Sequence, residues 1–151
     1  MLGSEALHAY ASCDKHGKPI MCLPGAPNAP LPYLSYTGTA YFGRMAELIL
    51  ADARKNPFLE KCHEADMAEG LKMMALEGQG IAFLPESAVV HEVQQRLLAR
   101  ADAGNREWQI SMQIRLYRER PSMQRPGKSL VTKLWNYLKS PATARRRGQA
   151  P

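Results

Sequence analysis

The stretch CHEADMAEGLKMMALEGQGIAFLPES, residues 62–87, carries the clearest signature of the fold. Asp66 can cap a helix start, and Glu69 three residues on completes the S/T/D-x-x-E pattern of a capping box. Met67, Leu71, Met74 and Ala75 then recur at helical spacing and give one inward stripe. Gly78 stands where a left-handed C-terminal glycine belongs, and Gly80 lets the chain turn tightly into the next strand. Ile81–Leu84, "IAFL", is a continuous apolar run of the kind buried on both faces of a parallel sheet, and Pro85 ends it. Helix, glycine turn and buried strand together predict an α/β domain.

The same stretch excludes two chemistries. A zinc-protease helix needs histidines at i and i+4, but four residues after His63 stands Met67. Gly78-Gln79-Gly80 follows a helix and precedes a strand, whereas a phosphate cradle needs the reverse order.

On the N-terminal side, Glu5–Ser12 has the loose alternation of a strand, and "DKHGKP" after it reads as a turn. Prolines at 24, 27, 30 and 32 predict loop for "PGAPNAPLP", since each removes an N–H donor. Tyr33–Tyr36 is a short strand, "TGT" an elbow, and Ala40–Lys55 a helix capped by Thr39, with Phe42, Met45, Leu48 and Ile49 as its buried stripe. Pro57 stops that helix. "LEKCH", residues 59–63, is a further strand. On the C-terminal side, Ser87 can cap a helix reaching about Leu98, and "ADAGN" is loop. A longer strand runs from Trp108 to Arg120, and a last helix, "KSLVTKLWNYLKS", carries Leu130, Leu134, Trp135 and Leu138 on one side. Strand and helix alternate through the middle, which predicts parallel strands joined by right-handed crossovers.

The chain has 151 residues, enough for one domain with a substantial core. Cys13, Cys22 and Cys62 are an odd, scattered set, read as reduced thiols and not as a disulfide framework or a metal site. No apolar run is long enough to span a bilayer and the first residues lack the pattern of a secretory signal, so the expected compartment is the cytoplasm, with no membrane partner. Charge is uneven. From Arg115 onward ten Lys and Arg face one acid, a net of +9, whereas the first 114 residues hold ten bases and thirteen acids, a net of −3. Residues 140–151 read as a solvated basic tail without aromatic residues for stacking on bases.

Ser35, Ser87, Cys62 and His63 are the candidate nucleophiles and base, and none sits in a nucleophile elbow. Cys62 and His63, adjacent in a strand, point to opposite faces. What remains is positional. Strands ending near Tyr36, His63 and Leu84 each run into a loop before a helix, and in an open parallel sheet ligands bind where such loops meet. "YTGTA", "HEADM" and "PES" supply helix-start N–H groups with small hydroxyls or carboxylates, suited to a small polar ligand. Equally, Thr39, Asp66 and Ser87 could each only cap its own helix.

"PYLSYTGTAYFGRM", "CHEADMAEGLKMMALEGQGIAFLPESAV", "WQISMQIRLYRERP" and the closing helix with Trp135 together resemble the C-terminal part of a LysR-type transcriptional regulator. The similarity covers roughly residues 2–139. It implies an α/β effector-binding domain of the periplasmic-binding-protein type (type 2), second lobe complete with a partial first lobe, ahead of a tail at 140–151. The winged helix-turn-helix, the linker helix and the first half of the first lobe have no counterpart here, so the chain looks like a truncated regulator. The cleft-facing loops of the resemblance fall on Tyr36, Thr37, Gly38, Thr39 and Ala40, on Glu64, Ala65, Asp66 and Met67, and on Pro85. It implies a small-molecule effector, no cofactor, no metal and no catalysis, homo-oligomers in the complete protein, and DNA contact only through the N-terminal domain. The chain also looks similar to hypochlorite-responsive members, in which case oxidation of Met67, Met73 or Met74 to sulfoxide would make an apolar helix face polar, although methionines at helical spacing also simply fill cores. A transporter solute-binding protein, a small hydrolase and direct nucleic-acid binding through the basic tail are the alternatives. The first needs an export signal and the second a nucleophile within reach of a base.

Overall fold

The computed structural model describes residues 2–54, 56–119 and 129–139. They form β1 (Gly3–Ser12), β2 (Leu31–Tyr36), α1 (Tyr41–Asp52), β3 (Leu59–Ala65), α2 (Ala68–Leu76), β4 (Ile81–Pro85), α3 (Val90–Gln94), β5 (Leu98–Arg100), β6 (Gln109–Ile114) and α4 (Ser129–Lys139), with short 3-10 turns at Glu86–Ala88 and Arg106–Trp108. The described residues divide into two compact units, one within Glu5–Met112 and one joining residues 2–4 to 113–119 and 129–139. The expected tail at 140–151 lies outside the described residues.

One mixed sheet runs in the order β3-β2-β4-β1-β5, and β6 also pairs with β1. β2 is parallel to β3 and β4, as the alternation of strand and helix predicts. β1 runs antiparallel to β4 and β5. Side-chain alternation sends Ile81 and Phe83 of β4 into a cluster with Ala46 and Ile49 of α1, Leu7, Ala9 and Ala11 of β1, and Trp108. Ala82 and Leu84 face the other way, onto Leu71 and Ala75 of α2, with Leu34, Tyr36, Val89 and Leu98. β4 is thus buried on both faces, and helices cover the sheet on either side.

Several sequence expectations need correction, each for a tertiary reason. Pro32 lies inside β2, not in loop. N–H groups alternate between neighbours, Leu31 donates toward β3 at Phe58 O (2.8 Å), and the side of Pro32 meets Gly80, before β4 begins. No ladder bond is therefore lost. A Cβ on Gly80 would lie 2.7 Å from Pro32 O, which is why a side chain there cannot be accommodated. Gly78 does take the left-handed conformation, at φ 77°.

α1 starts after Ala40 and not Thr39, ends at Asp52, and leaves Leu48 half exposed while burying Gly43, Ala46 and Ile49. β3 extends two residues beyond the expected end, with a register shift that leaves Cys62 as the extra residue. The helix expected from Ser87 to Leu98 stops at Gln94. Leu98–Arg100 instead pairs with Tyr10–Ser12, because the edge of β1 offers a ladder to extended chain. β6 closes at Ile114, short of the expected Arg120. α4 forms as expected, but Leu130 and Leu134 are exposed while Trp135 and Leu138 are half-buried.

Candidate functional site

Three parallel strands deliver their C-terminal ends to one rim of the sheet. Tyr36 stands beside Ala65, and Leu34 beside Ala82, so two residues further on the end of β2 lies alongside the end of β4. Thr37 N–H donates to Ala65 O (3.1 Å), and Thr37 Oγ1 donates to Asp66 Oδ1. The loop after β2 and the loop after β3 are therefore tied together by backbone and side chain. Pro85 pairs with Leu7 of β1. Of the ten residues singled out in the sequence, Tyr36, Thr37, Ala65, Asp66 and Pro85 are brought to this rim by direct strand pairing or hydrogen bonds. Gly38, Thr39 and Ala40 form the turn after β2, closed by Ala40 N–H to Thr37 O at 3.0 Å.

Three details differ from the expected capping. Thr39 is exposed and caps nothing, and Ala40 holds the N-cap position of α1. Asp66 does not cap α2: its carboxylate is taken by Thr37, Met67 holds the cap position 69% exposed, and Glu69 pairs with Lys72 (2.8 Å). Ser87 caps no helix either, since its Oγ donates to Glu5 Oε2 and its N–H to Glu5 Oε1 (3.2 Å). As a result neither α1 nor α2 carries a side-chain cap. Their first-turn N–H groups, which point toward the N-terminal end of each helix, remain open to a bound acceptor. Glu64 is held by Lys61 Nζ at 2.9 Å.

Glu5 and Ser87 join the rim from β1 and the turn after β4, and sequence reasoning missed the first of them. The only local signal was that Glu5 begins the alternation of β1; its partner lies 82 residues away.

Beneath β1 lies a second polar group that no local pattern marks. Asp102 is fully buried, held by Arg100 Nη2 at 2.7 Å and Nε at 3.1 Å and by the Gly104 N–H at 2.9 Å. His8 Nδ1 stands 3.5 Å from Asp102 Oδ2, without the alignment of a hydrogen bond. Burial alone would raise the Asp102 carboxyl. The His8 imidazole, the Arg100 guanidinium and the Gly104 N–H together outweigh it and hold the group below the usual carboxylate range. Tyr10, on the same side of the sheet, is pushed up to about 12, first by burial and then by Glu86. Tyr36, at the rim end of β2, is raised by burial, and its hydroxyl is buried without a partner. Among the described residues no group of three His, Cys, Asp or Glu is placed to hold a metal ion. Cys13, Cys22 and Cys62 are free thiols.

No protein-family model matches the chain. Among curated proteins it is 33% identical over 93 residues to the HTH-type transcriptional regulator YjiE of Escherichia coli K12, a match covering 62% of this chain and 29% of that protein. It is likewise 33% identical over 93 residues to the HTH domain-truncated transcriptional regulator QseD of Escherichia coli O157:H7, covering 62% and 37%. The chain thus spans about a third of the length of the curated relatives it matches. Among solved structures it resembles Vibrio fischeri DarR in complex with DNA (26% identity, TM-score 0.66, 91% of this chain and 43% of that one). It also resembles full-length HypT of Salmonella typhimurium, a hypochlorite-specific LysR-type transcriptional regulator (24% identity, TM-score 0.67, 90% and 43%). The fold is that of the regulatory, effector-binding domains of such regulators, of the type 2 periplasmic-binding-protein kind.

Proposed function

We propose that this chain, built on the fold of a LysR-type regulatory domain, is the effector-binding part of a transcriptional regulator and takes a small polar molecule at the rim of β2, β3 and β4. The observation that carries the reading is the Thr37–Asp66 hydrogen bond beside two helix starts with no side-chain caps. It makes one surface of two loops and leaves N–H donors there for the oxygens of a ligand. Thr37–Ala40 and Glu64–Met67 line that surface, with Glu5 and Ser87 beside them and the buried Tyr36 and Pro85 beneath it. The role is non-enzymatic and cytoplasmic, DNA is reached through an N-terminal domain of the complete regulator, and that regulator works as a homo-oligomer.

Gly38 provides the test. A Cβ added there meets nothing within 4 Å, so a side chain can be introduced at this turn and a large one takes up space at the rim. A thermal-shift panel of small mono- and dicarboxylates on the full chain is expected to yield at least one compound that stabilises it. Stabilisation reaches about 2.7 kcal/mol at a hundredfold excess over Kd, and Gly38→Trp removes it. A panel in which stabilising compounds act equally on Gly38→Trp refutes the site.

The finer reading is a kinship with hypochlorite-responsive regulators. It is supported by the likeness to HypT and by the exposure of Met67 (69%) at the N-cap of α2 and of Met73 (57%) within it, positions where methionine does not fill a core. Mass spectrometry after mild hypochlorite is expected to find Met67 as sulfoxide. Met67 unmodified while Met1 and Met123 oxidise would remove this reading.

A further inference from the structure

We propose that His8 and Asp102 form a proton-operated latch, in which proton uptake by His8 shifts the hold on the Asp102 carboxylate from Arg100 to β1. The contact lies inside the unit within Glu5–Met112, with His8 at 5% exposure and Asp102 at 0%. Nearly every buried polar atom in a folded protein has a partner, yet His8 Nδ1 has none. It stops 3.5 Å from Asp102 Oδ2. A bare Nδ1 would set its lone pair against a carboxylate oxygen, so neutral His8 carries its hydrogen on Nδ1, facing Oδ2 without alignment. Nε2 is then the nitrogen that takes up a second proton, in the range where histidine changes charge, about pH 5 to 8.

The surroundings decide what that proton does. Asp102 is already paired with Arg100, which donates from Nη2 (2.7 Å) and Nε (3.1 Å), and the Gly104 N–H adds a donor at 2.9 Å. An imidazolium places a second cation on the same carboxylate and offers it a charge-assisted bond from Nδ1. Around the pair stand Tyr10 of β1, edge-on to the His8 ring at 6.2 Å, and Glu86 of the turn after β4, which acts on both Tyr10 and Arg100. Glu5, further along β1, is engaged with Ser87. Tyr10, pushed up to about 12, keeps its proton throughout and supplies no second anion.

Exposure settles which cation yields. The Arg100 side chain is 41% exposed and its Nη2 already lies 3.3 Å from Gln109 Oε1, whereas the His8 side chain is 7% exposed. A guanidinium that turns toward water and Gln109 stays solvated, but an imidazolium without an anion at a buried site does not. The exchange changes what is joined. Arg100 and Asp102 are two residues apart, so their pair ties the loop after β5 only to its own strand. His8 lies on β1, so its bond to Asp102 adds a side-chain tie where the Ala101 N–H donates to Ala9 O at 2.8 Å.

Nitrogen NMR of the histidine rings and arginine Nε–H groups of the full chain, from about pH 8 to pH 5, tests the latch. At the upper end the His8 ring is expected to show the Nδ1–H tautomer. As it takes up a proton, the Arg100 Nε–H is expected to move upfield, toward the position of arginines in water, and the Gly104 amide to shift with the same midpoint. His16, His63 and His91 titrate without moving either signal. His8→Gln removes both responses, and if that variant does not fold, the wild-type midpoints alone decide. Four results overturn the proposal: an Nε2–H tautomer at the upper end, a His8 ring that keeps one charge throughout, Arg100 and Gly104 signals that ignore the His8 midpoint, or responses that persist in folded His8→Gln.

Discussion

β3 and β4 flank the same strand, run parallel to it, and end at the same rim, yet they are built from opposite materials. Every residue of Ile81–Pro85 is buried, whereas five of the seven residues of Leu59–Ala65 are exposed. The difference is one of place. β4 lies between β2 and β1 with helices over both faces, and β3 is the edge of the sheet. Glu60, Lys61 and Glu64 on the edge strand discourage a further strand from adding there. At the rim β3 leads into the start of α2 and β4 into the turn that carries Ser87, so the site joins a buried wall to an exposed one.

The greatest loss is expected from the buried wall. Phe83→Ala leaves a cavity between α1 and the sheet and is expected to cost about 3–5 kcal/mol in urea unfolding. Glu60→Ala on β3 is expected to stay within about 0.5 kcal/mol. Similar losses from the two would erase the contrast.

Acid probes the interior from its polar side. Asp102 is held below its usual range in the folded chain, so its contribution to stability is fully present above about pH 4, the unfolded value. It is lost as pH falls through the lower, folded value. Unfolding curves from pH 6 to pH 2 are expected to show this decline, and Asp102→Asn, less stable at pH 6, is expected to show a shallower one. An identical acid slope in the two proteins would mean that Asp102 is not held by Arg100, Gly104 and His8.

Next comes the tie between the loop after β2 and the loop after β3. Thr37→Val removes the hydroxyl that Asp66 accepts from and is expected to cost about 1 kcal/mol. It should also weaken whatever small carboxylate stabilises the wild-type chain. The mildest change belongs to Lys61→Ala, whose exposed pair with Glu64 is expected to contribute no more than about 0.5 kcal/mol.

The elements that local pattern controls were legible in the sequence. Ile81–Leu84 announced itself as a strand buried on both faces, Gly78 as a left-handed cap, and the alternation of strand and helix as parallel pairing of β2, β3 and β4. The elements that distant partners control were not. Asp66 and Glu69 have the spacing of a capping box, but Thr37 and Lys72 claim the two carboxylates. Ser87 has the pattern of a cap and serves Glu5 instead. Three residues, Leu98–Arg100, are too few to show a period and became a strand because β1 had an open edge. The rim was foreseeable because sheet topology, not side-chain identity, brings its loops together. Asp102 was not, since nothing in "ADAGN" marks a carboxylate that is buried under β1.

Whether the rim binds a ligand can be read from amide chemical shifts, measured by ¹H–¹⁵N spectroscopy on the full chain during titration with acetate, succinate and benzoate. A binding carboxylate is expected to move the amides of Gly38, Tyr41, Phe42, Ala68 and Glu69 together. Shifts confined to another face, or none at this rim with any compound that binds, would contradict the assignment.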